Sequence, residues 1–218
     1  MTPRIITQFE GLPYWAETFR LTNPDFTHVT ADPISVVADF PWIAEVFAAR
    51  PSYDQQNLTR YLYAFRDGGV IVDGNIECLS KFDQLIETNG VVLGTANGRD
   101  VLNSVIVTPA REELWLLMIS FLIDDAGTTL QKAVHAYEKE YKEDYVQNRI
   151  TRIRVKLGEM KDLRTRSRVT RLEPHHFYPI NPVDPIHEHF VKVSQDAPLD
   201  RETACRLFPA SFAVCYWG

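Results

Sequence analysis

Arg60-Tyr61-Leu62-Tyr63-Ala64-Phe65-Arg66-Asp67-Gly68-Gly69-Val70-Ile71-Val72-Asp73-Gly74-Asn75-Ile76-Glu77-Cys78-Leu79 is the stretch that decides the fold. It reads as the end of a helix, a double-glycine stop, a short β-branched strand and an acidic residue at the strand's end. Leu58, Tyr61, Leu62 and Phe65 recur at helical spacing, so a helix capped by Asp54 is predicted to run to Arg66 with that stripe buried. Gly68-Gly69 stops it, because glycine accepts the left-handed geometry of a helix C-terminus. Val70–Asp73 is apolar and bounded by glycines, as a buried strand is. Ligands of open α/β sheets bind outside the carboxyl ends of the strands, which is where Asp73 falls. A carboxylate and an amide oxygen two residues apart, Asp73 and Asn75, are hard donors suited to Mn2+ or Mg2+. A divalent ion held by them can neutralise a diphosphate leaving group.

Working outward, Arg4–Phe9 is a first strand, Tyr14–Leu21 a short helix and Phe26–Thr30 a second strand. Val91–Thr95 and Val101–Val107 flank a turn at Asn97-Gly98, and Glu112–Leu122 and Thr129–Val146 read as helices. Phe190–Val193 and Phe212–Trp217 read as late strands returning to the sheet, after a long irregular connection between Pro174 and Pro198 that holds five prolines. Alternating elements of this kind predict an α/β fold with a mixed central sheet flanked by helices. A chain of 218 residues, 45% hydrophobic, buries one sizeable core, so residues 1–218 are expected to form a single domain. There is no run of 18 apolar residues, hence no membrane span. The opening Met1-Thr2-Pro3-Arg4-Ile5 enters a strand at once, and no signal peptide is expected. Three cysteines (Cys78, Cys205 and Cys215) are too few and too odd for a disulfide framework, so a reducing intracellular setting is expected, with nucleus, cytosol and viral-factory cytoplasm all open on the residues and the cytoplasm the expected place.

Residues 57–79 resemble the core of the DXD glycosyltransferases, a family that includes yeast-type initiating mannosyltransferases, capsular polysaccharide transferases and the glucosylating clostridial toxins. The likeness rests on Asn57-Leu58-Thr59-Arg60-Tyr61, on Gly68-Gly69-Val70-Ile71-Val72-Asp73-Gly74-Asn75 and on Glu77-Cys78-Leu79. Thr2–Phe9 is similar to the family's first strand, Asn23-Pro24-Asp25-Phe26 to the phrase before its second, and Ala213–Gly218 to a worn form of its terminal His-His-Trp block. Three departures stand out: Asn57 where the family has Asp, Asn75 where it has the second DXD Asp, and Cys215-Tyr216 where it has two histidines.

The resemblance implies a GT-A-type nucleotide-diphospho-sugar transferase fold. It also implies metal-dependent transfer of a hexose, with retention, from a nucleotide-diphosphate sugar to a glycan or other hydroxyl acceptor. UDP-glucose or UDP-galactose is the first expectation for the donor, with GDP-mannose behind. Mn2+, or Mg2+, would sit on Asp73 and Asn75. Thr7, Gln8, Phe9, Asn57, Arg60, Tyr61, Asp73 and Trp217 would meet the nucleotide sugar, and Arg60, Asp73 and Asn103 would carry the chemistry. The likeness extends to anchorless members carried by large DNA viruses, for which the place would be the host cytoplasm. The ending within a strand-like segment hints at a domain excised from a longer polypeptide.

Each of these residues has a plainer reading. Asp73 can end a strand and accept turn hydrogen bonds, Asn75 can form a turn beside Gly74, and Arg60 can be a surface ion-pair residue. Tyr61 lies on the apolar stripe and belongs to the core on spacing alone. Loss of the second aspartate and of the histidines keeps a rival open: a catalytically degenerate module that binds a nucleotide sugar or a glycan. His175-His176 and His187-Glu188-His189 lack cysteine partners at zinc spacing. Between Arg149 and Arg171 stand nine Lys or Arg against Glu159 and Asp162, a net of +7 that leaves −13 on the rest of a −6 chain. This segment is either a solvated face or a basic border for an anionic acceptor. It holds no aromatic residue for base stacking, so nucleic acid is not expected as a partner.

Overall fold

The computed structural model describes residues 1–124, 129–139, 144–158, 167–180 and 199–216. Its centre is a six-stranded sheet in the order β2-β1-β3-β6-β5-β7. The strands are β1 (Ile5–Gln8), β2 (Thr27–Thr30), β3 (Gly69–Val72), β5 (Val91–Thr95), β6 (Val101–Thr108) and β7 (Val169–Leu172). β1 pairs in parallel with β2 and β3, β5 pairs in parallel with β7, and β6 alone runs against its neighbours β3 and β5. This is the mixed sheet flanked by helices that the sequence predicts. From β1 the chain passes to β2 on one side and later returns to β3 on the other. The carboxyl ends of β1 and β3 therefore flank a topological switch point, where a crevice opens.

The helix of the deciding stretch, α4 (Ser52–Arg66), is buried from Asn57 through Phe65. Earlier come α1 (Pro13–Thr22), α2 (Pro33–Ala38) and α3 (Ala44–Ala48). Asp54 lies inside the first turn of α4 rather than capping it; Pro51 is the cap residue and makes no side-chain bond. Gly68 and Gly69 have φ of +65° and +84°, which only glycine takes up without strain. A Cβ on Gly69 would stand 2.3 Å from the Ile5 carbonyl oxygen. The glycine pair thus both ends α4 and lets β3 start flush against β1.

Two layers cover the sheet. On one face α4 packs with α6 (Glu113–Asp124), α7 (Leu130–Lys139) and α8 (Asp144–Lys156) around Leu62, Phe65, Ile71, Ile106, Trp115 and Val134. On the other, α1 and α5 (Asp83–Glu87) close over Ile6, Val70, Val92 and Val107 with Phe19, Phe82 and Phe177. The stretch expected as one helix over Thr129–Val146 is two helices, and the second carries on through Arg149 to Lys156.

The last described strand, β8 (Ala213–Cys215), does not return to the main sheet as expected; it pairs antiparallel with β4 (Ile76–Cys78) in a sheet of two. Beside this small sheet α9 (Arg201–Leu207) packs through Ala204 in a cluster with Leu79, Val214 and Tyr216. Phe190–Val193, His187 and His189 lie outside the described residues. His175 and His176 stand on a single 3-10 turn (Pro174–His176) with ring centroids 4.1 Å apart. Among the described residues no helix is long and apolar enough to cross a membrane, and no three His, Cys, Asp or Glu side chains gather as a metal cage.

Four cations of the basic segment are held in ion pairs where it is described. Arg149 and Arg152 pair with Asp124, Arg154 with Glu113 and Arg171 with Glu138. Arg164 and Arg166 lie outside the described residues.

Candidate functional site

Asp73 follows β3 directly, and its N–H donates to the Ser104 carbonyl at 2.9 Å, extending the β3–β6 ladder by one bond. Its carboxylate is thereby fixed at the sheet's carboxyl edge, with about a quarter of the side chain exposed (24%). One oxygen, Oδ1, accepts from Arg60 Nη2. Arg60 Nη1 donates to Asn57 Oδ1 at 2.6 Å, one turn back on α4. The guanidinium carbon lies 5.1 Å from the centroid of the Phe9 ring, a cation–π contact made where β1 ends. Arg60 Nε is also buried, with no partner among the described residues.

Asn103 completes this group from β6. Its amide nitrogen donates to Asn57 Oδ1 at 2.9 Å and to the Tyr61 hydroxyl at 3.0 Å, so its amide oxygen is the end left for another partner. Tyr61 is otherwise core, stacked on Trp115 at 5.8 Å, and burial pushes its hydroxyl pKa up to about 12. The fold therefore brings together five of the residues the sequence singles out: Phe9, Asn57, Arg60, Asp73 and Asn103. Tyr61 joins them through its hydroxyl alone.

Asn75 stands in the turn just before β4, and its amide nitrogen donates to the Tyr216 carbonyl at 2.8 Å. Tyr216 N–H donates back to the Asn75 carbonyl at 3.0 Å. The first of these bonds assigns the amide's orientation, since a carbonyl only accepts, and it leaves the amide oxygen for a ligand. Thr7 is fully buried, with its hydroxyl on no partner among the described residues. Gln8 lines a cavity beside β2. Trp217 lies outside the described residues.

Three cavities follow one another around this group. The first, about 120 Å³, lies between the ends of β1 and β2 and is lined by Gln8, Phe9, His28 and Thr30 among others. The second, about 450 Å³, is lined by Phe9, Glu10, Gly11, Trp15, Gln56, Arg60, Asp73 and Asn75. The first two share the wall formed by residues 9–12. The third, about 270 Å³, has Tyr53, Asp54, Asn57 and Asn103 on its polar side and Leu102, Met118 and Leu122 on its apolar side. The hydrogen-bonded pair Asn57–Arg60 is the partition between the second and third.

The sequence reading missed the glycine contact that shapes the second cavity. A Cβ on Gly11 would stand 2.0 Å from the Gly74 carbonyl oxygen, and one on Gly74 would stand 2.0 Å from the Glu10 carbonyl oxygen. The loop after β1 thus lies backbone to backbone on the Asp73-Gly74-Asn75 turn. The signal was present, a lone glycine just after the first strand, but its partner lies 63 positions away and only folding joins them.

The donor set fits a divalent cation that arrives with an anionic ligand. Asp73 Oδ2 and the Asn75 amide oxygen are hard donors on one cavity wall, and Arg60 already balances part of the Asp73 charge. Two protein donors alone would not fill the shell of such an ion, and ligand oxygens or water would have to supply the rest.

No protein-family model matches the chain, and no curated protein matches it in sequence. Among solved structures, the chain is similar to the glycosyltransferase GlyE of Streptococcus pneumoniae TIGR4, at 10% identity and a TM-score of 0.36. The match covers 100% of this chain and 55% of that one, so the chain spans about half of that protein's length.

Proposed function

We propose that residues 1–218 form one glycosyltransferase domain of the DXD type, moving a hexose from a nucleotide-diphosphate sugar to a glycan or other hydroxyl acceptor. The observation that carries this reading is the row of three cavities along the carboxyl edge of the sheet, with Arg60 and Asp73 at its middle. An elongated ligand with a flat end, an anionic centre and a polyhydroxylated end matches that row. The base takes the first cavity, where the Gln8 amide offers a donor and an acceptor to uracil. The diphosphate takes the second, and the hexose the third, where the amides of Asn57 and Asn103 meet its hydroxyls.

A cation, Mn2+ or Mg2+, held by Asp73 and Asn75 would supply charge neutralisation at the departing diphosphate. Arg60 does related work from the chain itself. Its planar fork is pre-oriented by Asn57 and Phe9, and its charge lies where negative charge grows as the bond to the sugar breaks. Among the described residues one carboxylate, Asp54, lines the hexose cavity, and retention by same-face attack assisted by the leaving phosphate would need no glycosidase-type pair of acid and base. UDP-glucose or UDP-galactose is the favoured donor.

One observation favours a second reading. The single carboxylate of the motif is already engaged by Arg60, and an amide stands where a second carboxylate would strengthen metal binding. That set also suits a module that holds a nucleotide sugar without transferring it.

A thermal-shift series with UDP, GDP, CMP and ADP, each with and without Mn2+, tests the site. A ligand at a hundredfold its Kd stabilises by about 2.7 kcal/mol, which for a domain of this size is a rise of roughly 5–10 °C. UDP is expected to give that rise with Mn2+ and much less without it. Release of UDP from UDP-glucose separates transferase from binding module. No shift with any nucleotide overturns the proposal.

A further inference from the structure

Glu77, in β4, has no exposed surface, and the nucleotide-sugar reading gives its carboxylate no task. A buried carboxylate is costly unless donors surround it. Here the Tyr14 hydroxyl donates to Oε1 at 3.2 Å and the Tyr216 hydroxyl donates to Oε2 at 2.5 Å. The Tyr216 ring also stacks on Trp15, with centroids 5.6 Å apart and planes 10° from parallel. Tyr216 is thus gripped at its hydroxyl and its ring face. Its two main-chain groups in turn hold Asn75: the carbonyl takes the side-chain amide at 2.8 Å and the N–H takes the Asn75 carbonyl at 3.0 Å.

We infer that Glu77 is a positioning residue, which acts through Tyr216 to orient the Asn75 amide oxygen toward the cavity that Asp73 lines. The ligand of that oxygen, a divalent cation on a nucleoside diphosphate, rests on the function proposed above; the orientation does not. A residue needed only to fill the space beside Tyr14 and Tyr216 would be apolar, since that exchange removes the cost of burying charge. A carboxylate with two aimed hydroxyls instead fixes one rotamer of Tyr216, and hence the direction of its carbonyl. Exposed metal ligands lose occupancy when their orienting partner is removed, by roughly ten- to a hundredfold.

The test uses the full chain and the variants Tyr216→Phe, Glu77→Gln, Asn75→Ala and the double Tyr216→Phe/Asn75→Ala. The first readout needs no ligand: the side-chain amide resonances of Asn75 in a 15N-labelled sample. Tyr216→Phe should move them toward solvent values and speed their exchange, while Glu77→Gln, which keeps an oxygen for one hydroxyl, should move them less. The second is the Mn2+ concentration giving half-maximal UDP binding by calorimetry. Tyr216→Phe and Asn75→Ala should each raise it roughly tenfold, and the double variant should lose no more than the worse single one. Unmoved Asn75 resonances in Tyr216→Phe and Glu77→Gln, or additive losses in the double variant, overturn the inference. UDP binding that ignores Mn2+ in the parent protein would sink the nucleotide-sugar reading, and the amide resonances would still decide the positioning role.

Discussion

Arg60, from the middle of α4, donates to the Asp73 carboxylate at the end of β3 while its guanidinium lies against the Phe9 ring at the end of β1. Three elements adjacent at the switch point are joined by one side chain, itself almost wholly buried (6% exposed). Asp73→Ala removes the carboxylate that pairs with that charge. Breaking a buried pair from one side costs about 3–5 kcal/mol; the partial exposure of Asp73 places the expected loss near the lower end. Asp73→Asn keeps an acceptor oxygen and should lose less stability, yet both should lose Mn2+-dependent UDP binding. Urea unfolding beside calorimetry checks this. Equal stability of Asp73→Ala and the parent would mean that Arg60 finds its partner elsewhere.

Asn75→Asp is the opposite change. It puts a second carboxylate beside Asp73 and, if the proposed cation binds there, should keep or strengthen Mn2+-dependent nucleotide binding, because hard divalent ions favour charged oxygen donors. The gain is expected in nucleotide affinity measured across an Mn2+ series. A loss there, with Tyr216 packing intact, would argue that the Asn75 amide nitrogen, bound to the Tyr216 carbonyl, matters more than its oxygen.

The meeting of Gly11 with Gly74 gives a prediction at a position with no functional group. A methyl at either glycine must push two backbones apart, since each would stand 2.0 Å from a carbonyl oxygen. Overpacking of this kind costs about 1–3 kcal/mol. The shift also opens the second cavity, so Gly74→Ala should weaken nucleotide binding by more than its loss of stability implies. Parental UDP affinity in Gly74→Ala would show that the loop after β1 does not shape the site.

Much of this architecture is legible in the sequence, and the reasons are local. The stripe Leu58, Tyr61, Leu62 and Phe65, the Gly68-Gly69 stop and the β-branched run before Asp73 each state their structure within a few residues. Short amphipathic turns such as α2 and α3 lack such a period and escape notice. β4 escapes because its three residues carry no alternation, and its partner lies at the far end of the chain. Asn57, Arg60 and Asp73 are marked by resemblance, but the bonds among them are not. The Glu77–Tyr216–Asn75 chain is invisible in one dimension, because it depends on β8 leaving the main sheet to pair with β4.

Glu77 also predicts a pH dependence. Burial pushes its carboxyl above the usual range, against the hydrogen bonds from Tyr216 and Tyr14 and the charge of Arg201, with Asp200 adding to the rise. The folded state then holds a proton that the unfolded chain releases at lower pH. Stability is fully present below the ordinary carboxylate pKa and declines as pH rises through the raised value. Glu77→Gln should flatten that decline. Thermal midpoints of parent and Glu77→Gln between pH 4 and 8 check it: the parent's advantage over the variant should shrink as pH rises, and a difference that grows across that window would contradict the burial argument at Glu77.

The last prediction concerns the basic segment, whose described part is fastened to the fold. Arg149 Nη1 donates to Asp124 Oδ2 at 2.9 Å and to Ser120 Oγ at 3.3 Å. Its guanidinium carbon lies 4.7 Å from the Phe121 ring centroid and 4.8 Å from that of Tyr145. It therefore clamps α6 to α8 between two aromatic faces. Arg152 reaches the same Asp124 oxygen at 2.8 Å but is half exposed. Cation–π contacts contribute about 0.5–1 kcal/mol each and an exposed ion pair about 0–1 kcal/mol. Arg149→Ala should thus cost about 2 kcal/mol, with little dependence on salt because the site is shielded. Arg152→Ala should cost under about 1 kcal/mol and lose even that at high ionic strength. Neither should change UDP affinity, since neither lines the three cavities. If instead Arg149→Ala left stability intact and weakened binding of an anionic acceptor, the segment would border the acceptor site, as its charge alone suggests.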